Sequence, residues 1–153
     1  IRQVIRSVDN NLLLLIVTSL ALGSVIQITG TANFLSQSLV DFLGDSSPLV
    51  LLLCFYMLVS ITTNFISNNA CAVLFTPIAI DIAEKINVDP KIFAIALIFA
   101  VNTSFVTPLA YQTNLLVMGP GHYKFIDYVK FGLPLTILCW VVFFITFPLF
   151  YQL

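Results

Sequence analysis

The chain has 153 residues, of which 59% are hydrophobic and 8% are charged, and its formal net charge is -1. A soluble domain of this length could not bury so much apolar surface in one core, so we expect an integral multi-pass protein of the cell (cytoplasmic) membrane, in contact with lipid. The charge balance, without a basic stripe, excludes nucleic acid as a partner.

The first two predicted elements differ in their hydrophobic pattern. Residues 11–29 form an apolar run with the length that one helix needs to cross a hydrocarbon core of about 30 Å, which predicts a transmembrane helix. Residues 32–43 alternate apolar side chains with Ser, Gln and Asp at helical spacing, which predicts an amphipathic helix at the membrane interface. Because the chain begins with Ile1 and not with Met, we also expect it to be part of a longer protein.

A dense polar run interrupts the next apolar stretch. Residues 62–69 read Thr-Thr-Asn-Phe-Ile-Ser-Asn-Asn and separate the apolar runs 49–61 and 71–83. An amide or hydroxyl without a partner in an apolar medium costs several kcal/mol, so this run needs a pocket, water or an ion. Each arm is shorter than the ~20 residues of a spanning helix, which predicts a re-entrant helical hairpin over residues 49–83 with its tip at residues 67–69. One long buried helix, in which Asn and Thr bond to neighbouring helices, is the alternative.

A second polar run interrupts the apolar stretch over residues 91–120. Thr107-Pro108 is followed by Tyr111-Gln112-Thr113-Asn114, and the stretch ends at Gly119-Pro120-Gly121. Proline removes a backbone donor and strains the preceding turn, so we predict a broken transmembrane helix with an unwound middle. A helix that is merely kinked is the alternative.

The end of the chain combines a mixed stretch with an apolar one. Residues 123–131 mix aromatic side chains with Lys and Asp, which predicts a second interfacial stretch. Residues 133–152 predict a final transmembrane helix. We expect its aromatic side chains to face lipid or a neighbouring scaffold: Trp140, Phe143, Phe144, Phe147 and Phe150.

The two polar runs have the chemistry of an ion site. Sodium is a hard cation that prefers oxygen ligands, and both runs offer hydroxyls, amides and the carbonyl oxygens of an unwound helix. Helices that begin near Asn69 and Asn114 would also present bare N–H groups, which favour an anion. Neither run contains an acidic or basic residue, which weakens a proton relay based on carboxylates.

The same residues resemble a known family. The segments Thr63-Asn64-Phe65-Ile66-Ser67-Asn68-Asn69-Ala70, Phe75-Thr76-Pro77-Ile78-Ala79 and Thr107 to Gly121 resemble the C-terminal half of the divalent anion/sodium symporter family, within the ion transporter superfamily. The resemblance implies that residues 1–153 form the C-terminal repeat of an all-α membrane domain, one half of an inverted-repeat transporter. It also implies an elevator-type mechanism and a homodimer.

The resemblance further implies the roles of individual residues. Sodium, as the coupling ion, would be held by Thr63, Asn68 and the carbonyl oxygen of Ala110, with no other cofactor and no catalytic residue. The anion would be bound by six residues: Ser67, Asn68, Asn69, Gln112, Thr113 and Asn114. Asn69 stands where the family commonly has Thr. The Tyr-Gln-Thr-Asn and Gly-Pro-Gly motifs resemble permeases for sulfate and similar oxyanions, which places such anions ahead of dicarboxylates.

Several functions are compatible with this sequence. We expect sodium-coupled secondary active transport of a small divalent anion. A cation/proton antiporter of the same superfamily would require an intramembrane carboxylate from elsewhere, and in a structural subunit the Asn and Thr residues would only join helices. A membrane-embedded enzyme is disfavoured, because the apolar spans contain no Gly-x-Ser-x-Gly, no paired Asp and no His.

Overall fold

The computed structural model describes residues 17–18, 21, 25, 28–43 and 47–151, and the regular structure in these ranges is helical. The helices in chain order are α1 (Thr31–Leu43), α2 (Pro48–Thr62), α3 (Asn68–Lys85), α4 (Pro90–Val101), α5 (Gln112–Met118) and α6 (Phe125–Phe150). The predicted all-α class is confirmed. The transmembrane helix predicted over residues 11–29 lies mostly outside the described residues.

Local sequence signals set where three of these helices begin. Pro48 and Pro90 lie in the first turns of α2 and α4, where a missing N–H costs no helical hydrogen bond. Asp89 precedes α4, and its side chain accepts a hydrogen bond of 2.9 Å from the backbone N–H of Lys91. Asp127 accepts one of 2.8 Å from the N–H of Lys124 and so fixes the start of α6.

Helices α2, α3 and α4 form the core of the described chain. The ring of Phe55 on α2 lies 6.1 Å from that of Phe75 on α3 and 5.7 Å from that of Phe93 on α4. The same helices bury a set of smaller side chains around these rings: Leu52, Val59, Cys71, Ile78, Ala79, Ile82, Ala96, Leu97 and Ala100. Alanines on α4 let α3 and α2 approach it closely, so the three helices form one packed unit.

Helix α6 contacts α2 through one face. The ring of Phe143 stacks on that of Tyr56 with 3.8 Å between centroids, and Phe147 is buried beside it. The expectation that Phe143 and Phe147 face lipid or a neighbouring scaffold is therefore wrong. The two residues are four positions apart, which places them on the same face of the helix, and this face meets α2. Phe150 remains exposed, as expected.

Helix α6 also has the properties of a membrane-crossing segment. Its 26 residues have a mean hydropathy of 2.3 over the most apolar window, which makes it long and apolar enough to span a bilayer. Within the described residues the apolar helices α2 and α4 are shorter. Helix α6 begins at Phe125, so the predicted interfacial stretch 123–131 continues into the apolar segment without a break.

A polar contact joins α1 to α3. The hydroxyl of Ser36 is buried and donates a hydrogen bond to the carboxylate of Asp81. The ammonium group of Lys85 lies 3.0 Å from Asp81 Oδ2 and 2.6 Å from Asn33 Oδ1. This contact fixes the position of α1, the amphipathic helix, against the C-terminal end of α3.

Candidate functional site

The first interruption is a short loop, residues 63–67, between α2 and α3; we call it the first loop. The side chain of Ser67 accepts a hydrogen bond of 3.4 Å from the N–H of Ala70 and so caps α3. Of the three residues of the predicted tip, Ser67 is this cap, and Asn68 and Asn69 belong to the first helical turn. Their N–H groups lie where a helix offers no acceptor and where its dipole is positive.

The second interruption, residues 102–111 between α4 and α5, is longer, and we call it the second loop. Asn114, in α5, closes this loop: its Nδ2 donates to the carbonyl oxygens of Ser104 at 3.1 Å and Thr107 at 3.3 Å. The hydroxyl of Tyr128 on α6 donates to the carbonyl oxygen of Asn114 at 2.7 Å. The amide of Asn114, which we predicted to contact the anion, therefore donates to the backbone of the second loop.

The two loops meet at Asn64, whose side chain is only 5% exposed. Its Nδ2 donates to the carbonyl oxygen of Ser60 at 2.7 Å and to that of Thr103 at 3.3 Å. Its Oδ1 accepts a hydrogen bond of 2.9 Å from the N–H of Val106, and its carbonyl oxygen accepts one from the hydroxyl of Thr107. The sequence prediction missed Asn64. The signal for it was an amide inside the first polar run, but nothing in the sequence identified its partners.

A second set of contacts joins this region to α6. The indole N–H of Trp140 donates to the hydroxyl of Ser60 at 2.7 Å, and this hydroxyl is also hydrogen-bonded to that of Thr103. The hydroxyl of Thr103 lies 2.6 Å from the carbonyl oxygen of Ala100. The polar groups beside Asn64 are thus held by three different helices.

Thr63 and Asn68 form a close pair of oxygen atoms. Thr63 is fully buried, and its Oγ1 lies 3.0 Å from Asn68 Oδ1 and 3.1 Å from the carbonyl oxygen of Val101. A hydroxyl group has one proton. When that proton is donated to Val101, the oxygens of Thr63 and Asn68 face each other without a proton between them. A hard cation, which Ca²⁺ exemplifies with ligand distances of about 2.3–2.6 Å, fits such a pair.

The other predicted site residues have different surroundings. Ser67, Asn69 and Thr113 are exposed, whereas Ala110 is fully buried in the second loop. Among the residues that the structure describes, no hydrogen bond joins Ala110 to Thr63. The side chain of Gln112 lies outside the described part of the chain. The structure therefore brings Thr63 and Asn68 together, and the remaining roles stay predictions.

Comparison with known proteins identifies relatives over most of the chain. Residues 1–152 match the model of the family described as citrate transporter (CitMHS). An uncharacterized transporter of Synechocystis is 39% identical over 117 residues, which cover 76% of this chain and 19% of that protein. An uncharacterized transporter of Escherichia coli is 36% identical over 137 residues, or 90% of this chain and 22% of that protein.

A more distant relative has a more specific name. The sodium/sulfate cotransporter 1 of Chlamydomonas reinhardtii is 24% identical over 130 residues, which cover 84% of this chain and 15% of that protein. The chain spans about a fifth of the length of the more similar curated relatives. These matches confirm the predicted relationship to ion-transporting membrane proteins at the level of the family.

Proposed function

The chain belongs to the citrate transporter family, and we propose that it contributes one half of the binding site of a secondary transporter that couples sodium to a small divalent anion. The family description names citrate, and the Chlamydomonas relative is named for sodium and sulfate. All these anions carry more than one negative charge. A sulfate-like oxyanion is our first candidate for the substrate, and a dicarboxylate is the second.

The observation that carries this proposal is the oxygen pair of Thr63 and Asn68. The two atoms are 3.0 Å apart, and Thr63 is fully buried between α2 and the end of α4. The Thr63 proton has a second acceptor in Val101, so the hydroxyl can offer its lone pairs to a cation without losing its hydrogen bond. Sodium requires only such neutral oxygens, and the first loop supplies no charged residue.

The anion would bind beside the same residues. The N–H groups of Asn68 and Asn69 lie at the positive end of α3, an 18-residue helix that begins directly after Ser67. Helix α5 has only seven residues, so we assign the main dipole contact to α3. Asn68 would then hold the cation through its side chain and the anion through its backbone. A cation and an anion held at neighbouring atoms attract each other, so that each ion raises the affinity for the other, and by linkage this coupling is reciprocal.

The remaining parts of the proposal concern the whole protein. The outer face of α6 exposes apolar side chains that suit contact with lipid: Phe131, Leu135, Leu138, Val142, Ile145 and Leu149. Helices α2 and α3 would enter and leave the membrane on the same side as a re-entrant hairpin. A homodimer with an elevator-type movement is the assembly that the family resemblance implies.

Uptake into vesicles tests this function. Radiolabelled sulfate, succinate and citrate would be offered to the complete protein with and without an inward sodium gradient. We expect sodium-dependent uptake, and we expect Asn68→Ala to reduce it at least about tenfold, which corresponds to about 1.4 kcal/mol. Asn102→Ala is the matched control, because that amide, in the first residue after α4, is exposed and donates to Ile98 in the last turn of α4 and not to the first loop.

Three results would contradict the proposal. Normal sodium-dependent uptake by the Asn68→Ala protein would remove Asn68 from the site. Cation movement coupled to protons, without anion uptake, would instead support an antiporter. Absence of any flux from a correctly inserted protein would favour a structural subunit.

A further inference from the structure

We propose that Asn64 is a positioning residue that holds the first and second loops together and thereby sets the sodium affinity of the site. This inference rests on the proposed function. Asn64 contacts neither ion in this scheme; it acts through Thr63, its neighbour in the chain, and through Val101, which accepts the Thr63 proton. It differs in this respect from Asn68, which is only partly buried.

The hydrogen bonds of Asn64 support a role as a connector. On the second loop, its Oδ1 accepts a hydrogen bond from the N–H of Val106, and its Nδ2 donates to the carbonyl oxygen of Thr103. The same Nδ2 also donates to the carbonyl oxygen of Ser60 at 2.7 Å. Its backbone carbonyl oxygen accepts from the hydroxyl of Thr107, also on the second loop. No comparable set of contacts between the two loops involves any other single residue of the described chain. Loss of the amide would leave buried groups unpaired on both sides.

The link to sodium affinity passes through the proton of Thr63. This proton is shared between two acceptors, the carbonyl oxygen of Val101 at 3.1 Å and Asn68 Oδ1 at 3.0 Å. Only donation to Val101 leaves the oxygen pair free for a cation. Val101 is the last residue of α4 and directly precedes the second loop. Because Asn64 holds that loop against the first loop, its hydrogen bonds also fix the distance between Val101 and Thr63. If the loops separate, the proton turns to Asn68 and competes with sodium.

The partners of Asn64 are themselves fixed, so the contact cannot readily rearrange. The hydroxyls of Ser60 and Thr103 are hydrogen-bonded to each other, and Trp140 on α6 donates to Ser60. Each of these two residues also supplies a carbonyl oxygen to the amide of Asn64. A connected network of this kind responds strongly when one member is removed.

The test compares sodium dependence in variants of the complete protein in vesicles. We expect Asn64→Ala to raise the half-saturating sodium concentration about fivefold or more, because the three hydrogen bonds of its buried side chain, to Ser60, Thr103 and Val106, are lost. The maximal rate at saturating sodium should change less than about twofold. Asn102→Ala removes an amide at the start of the second loop that donates back to Ile98 of α4 and not to the first loop, and it should leave both values unchanged.

A second pair of variants avoids the cavity that alanine leaves at position 64. Thr107→Val keeps the shape of the side chain but removes the hydroxyl that donates to Asn64, and it should raise the half-saturating sodium concentration about threefold. Thr107→Ser keeps the donor and should restore the unaltered value. In detergent, sodium should raise the melting temperature least in Asn64→Ala, more in Thr107→Val, and as much in Thr107→Ser as in the unaltered protein. This measurement is independent of transport.

The outcomes separate this inference from the proposed function. If the unaltered protein requires sodium but Asn64→Ala and Thr107→Val keep its sodium dependence, Asn64 does not position the site and the proposed function stands. An equal loss of maximal rate in Thr107→Val and Thr107→Ser, with unchanged sodium dependence, would also overturn the inference. If the unaltered protein shows neither sodium-dependent uptake nor stabilisation by sodium, the proposed function itself fails.

Discussion

The first and second loops differ in where their hydrogen-bond partners come from. The first loop is held by the helices that it joins: the N–H of Thr63 still donates to Val59 at 2.9 Å, and Ser67 caps α3. The second loop depends on Asn64, about forty positions away in the chain, as well as on Asn114 in the helix that follows it. The conformation of the first loop is therefore set mainly by local sequence, and that of the second loop by tertiary packing.

Removing the support that α6 gives to the second loop should have the largest effect on stability. Gly132 lies on the face of α6 that meets this loop, and a Cβ at this position would overlap the carbonyl oxygen of Phe105 and lie 2.9 Å from Val106 Cα. Because these are backbone atoms, we expect Gly132→Ala to destabilise the protein by about 1–3 kcal/mol, despite the higher helix propensity of alanine. Thermal unfolding in detergent measures the change.

Gly119→Ala is the control for this substitution. A Cβ at Gly119 meets no atom within 4 Å. The free energy of unfolding should therefore change by less than about 0.5 kcal/mol, and the melting temperature should remain close to the unaltered value. Equal melting temperatures for the two alanine variants would show that α6 does not support the second loop.

A local substitution in the first loop should have a smaller effect. Ser67→Ala removes the oxygen that caps α3, which typically costs about 0.5–2 kcal/mol. The hydrogen bond of 3.4 Å to Ala70 is long, so we expect a value at the low end of this range. Unfolding should be measured without the anion, since Ser67 is also a proposed substrate ligand.

Ser47→Ala provides the matched comparison for the cap. Ser47 precedes α2 in the same N-cap position, but its side chain makes no capping hydrogen bond. Its replacement should therefore change stability less than that of Ser67. A larger loss at Ser47 would contradict the assignment of the cap to the Ser67 side chain.

The sequence predicted the features that depend on local chemistry. The first polar run indicated where α2 ends, because neighbouring amides and hydroxyls disfavour an apolar helix. The run that begins with Thr107-Pro108 indicated an interruption after α4 but not its start, since α4 already ends at Val101. The sequence did not predict the role of Asn64, whose partners on the second loop lie about forty positions away. It also did not predict which aromatic residues of α6 are buried. Phe143 and Phe150 both belong to the apolar run of α6, and the contact that buries Phe143 is its stacking on Tyr56, a residue distant in the chain.

The contact between α1 and α3 involves neither loop and should show the smallest effect. Partial burial raises the pKa of Asp81, but hydrogen bonds from Ser36 and Lys85, together with the Lys85 charge, outweigh it and hold the pKa below its ordinary value. The ionised carboxylate therefore stabilises the folded protein at pH above about 4, the ordinary value for Asp. This contribution declines as the pH falls through the lowered pKa of the folded state.

Asp81→Asn should consequently cost less than about 1 kcal/mol at neutral pH, because the Asp81 and Lys85 side chains are partly exposed to solvent. The difference in melting temperature from the unaltered protein should shrink as the pH is lowered below about 4. Glu84→Gln, on the exposed side of the same helix, should have little effect at either pH. A difference for Asp81→Asn that stayed constant with pH would assign the stabilisation to side-chain shape and not to charge. Sodium dependence of uptake should be unaltered in both variants, since the carboxylate of Asp81 contacts α1 and not the two loops.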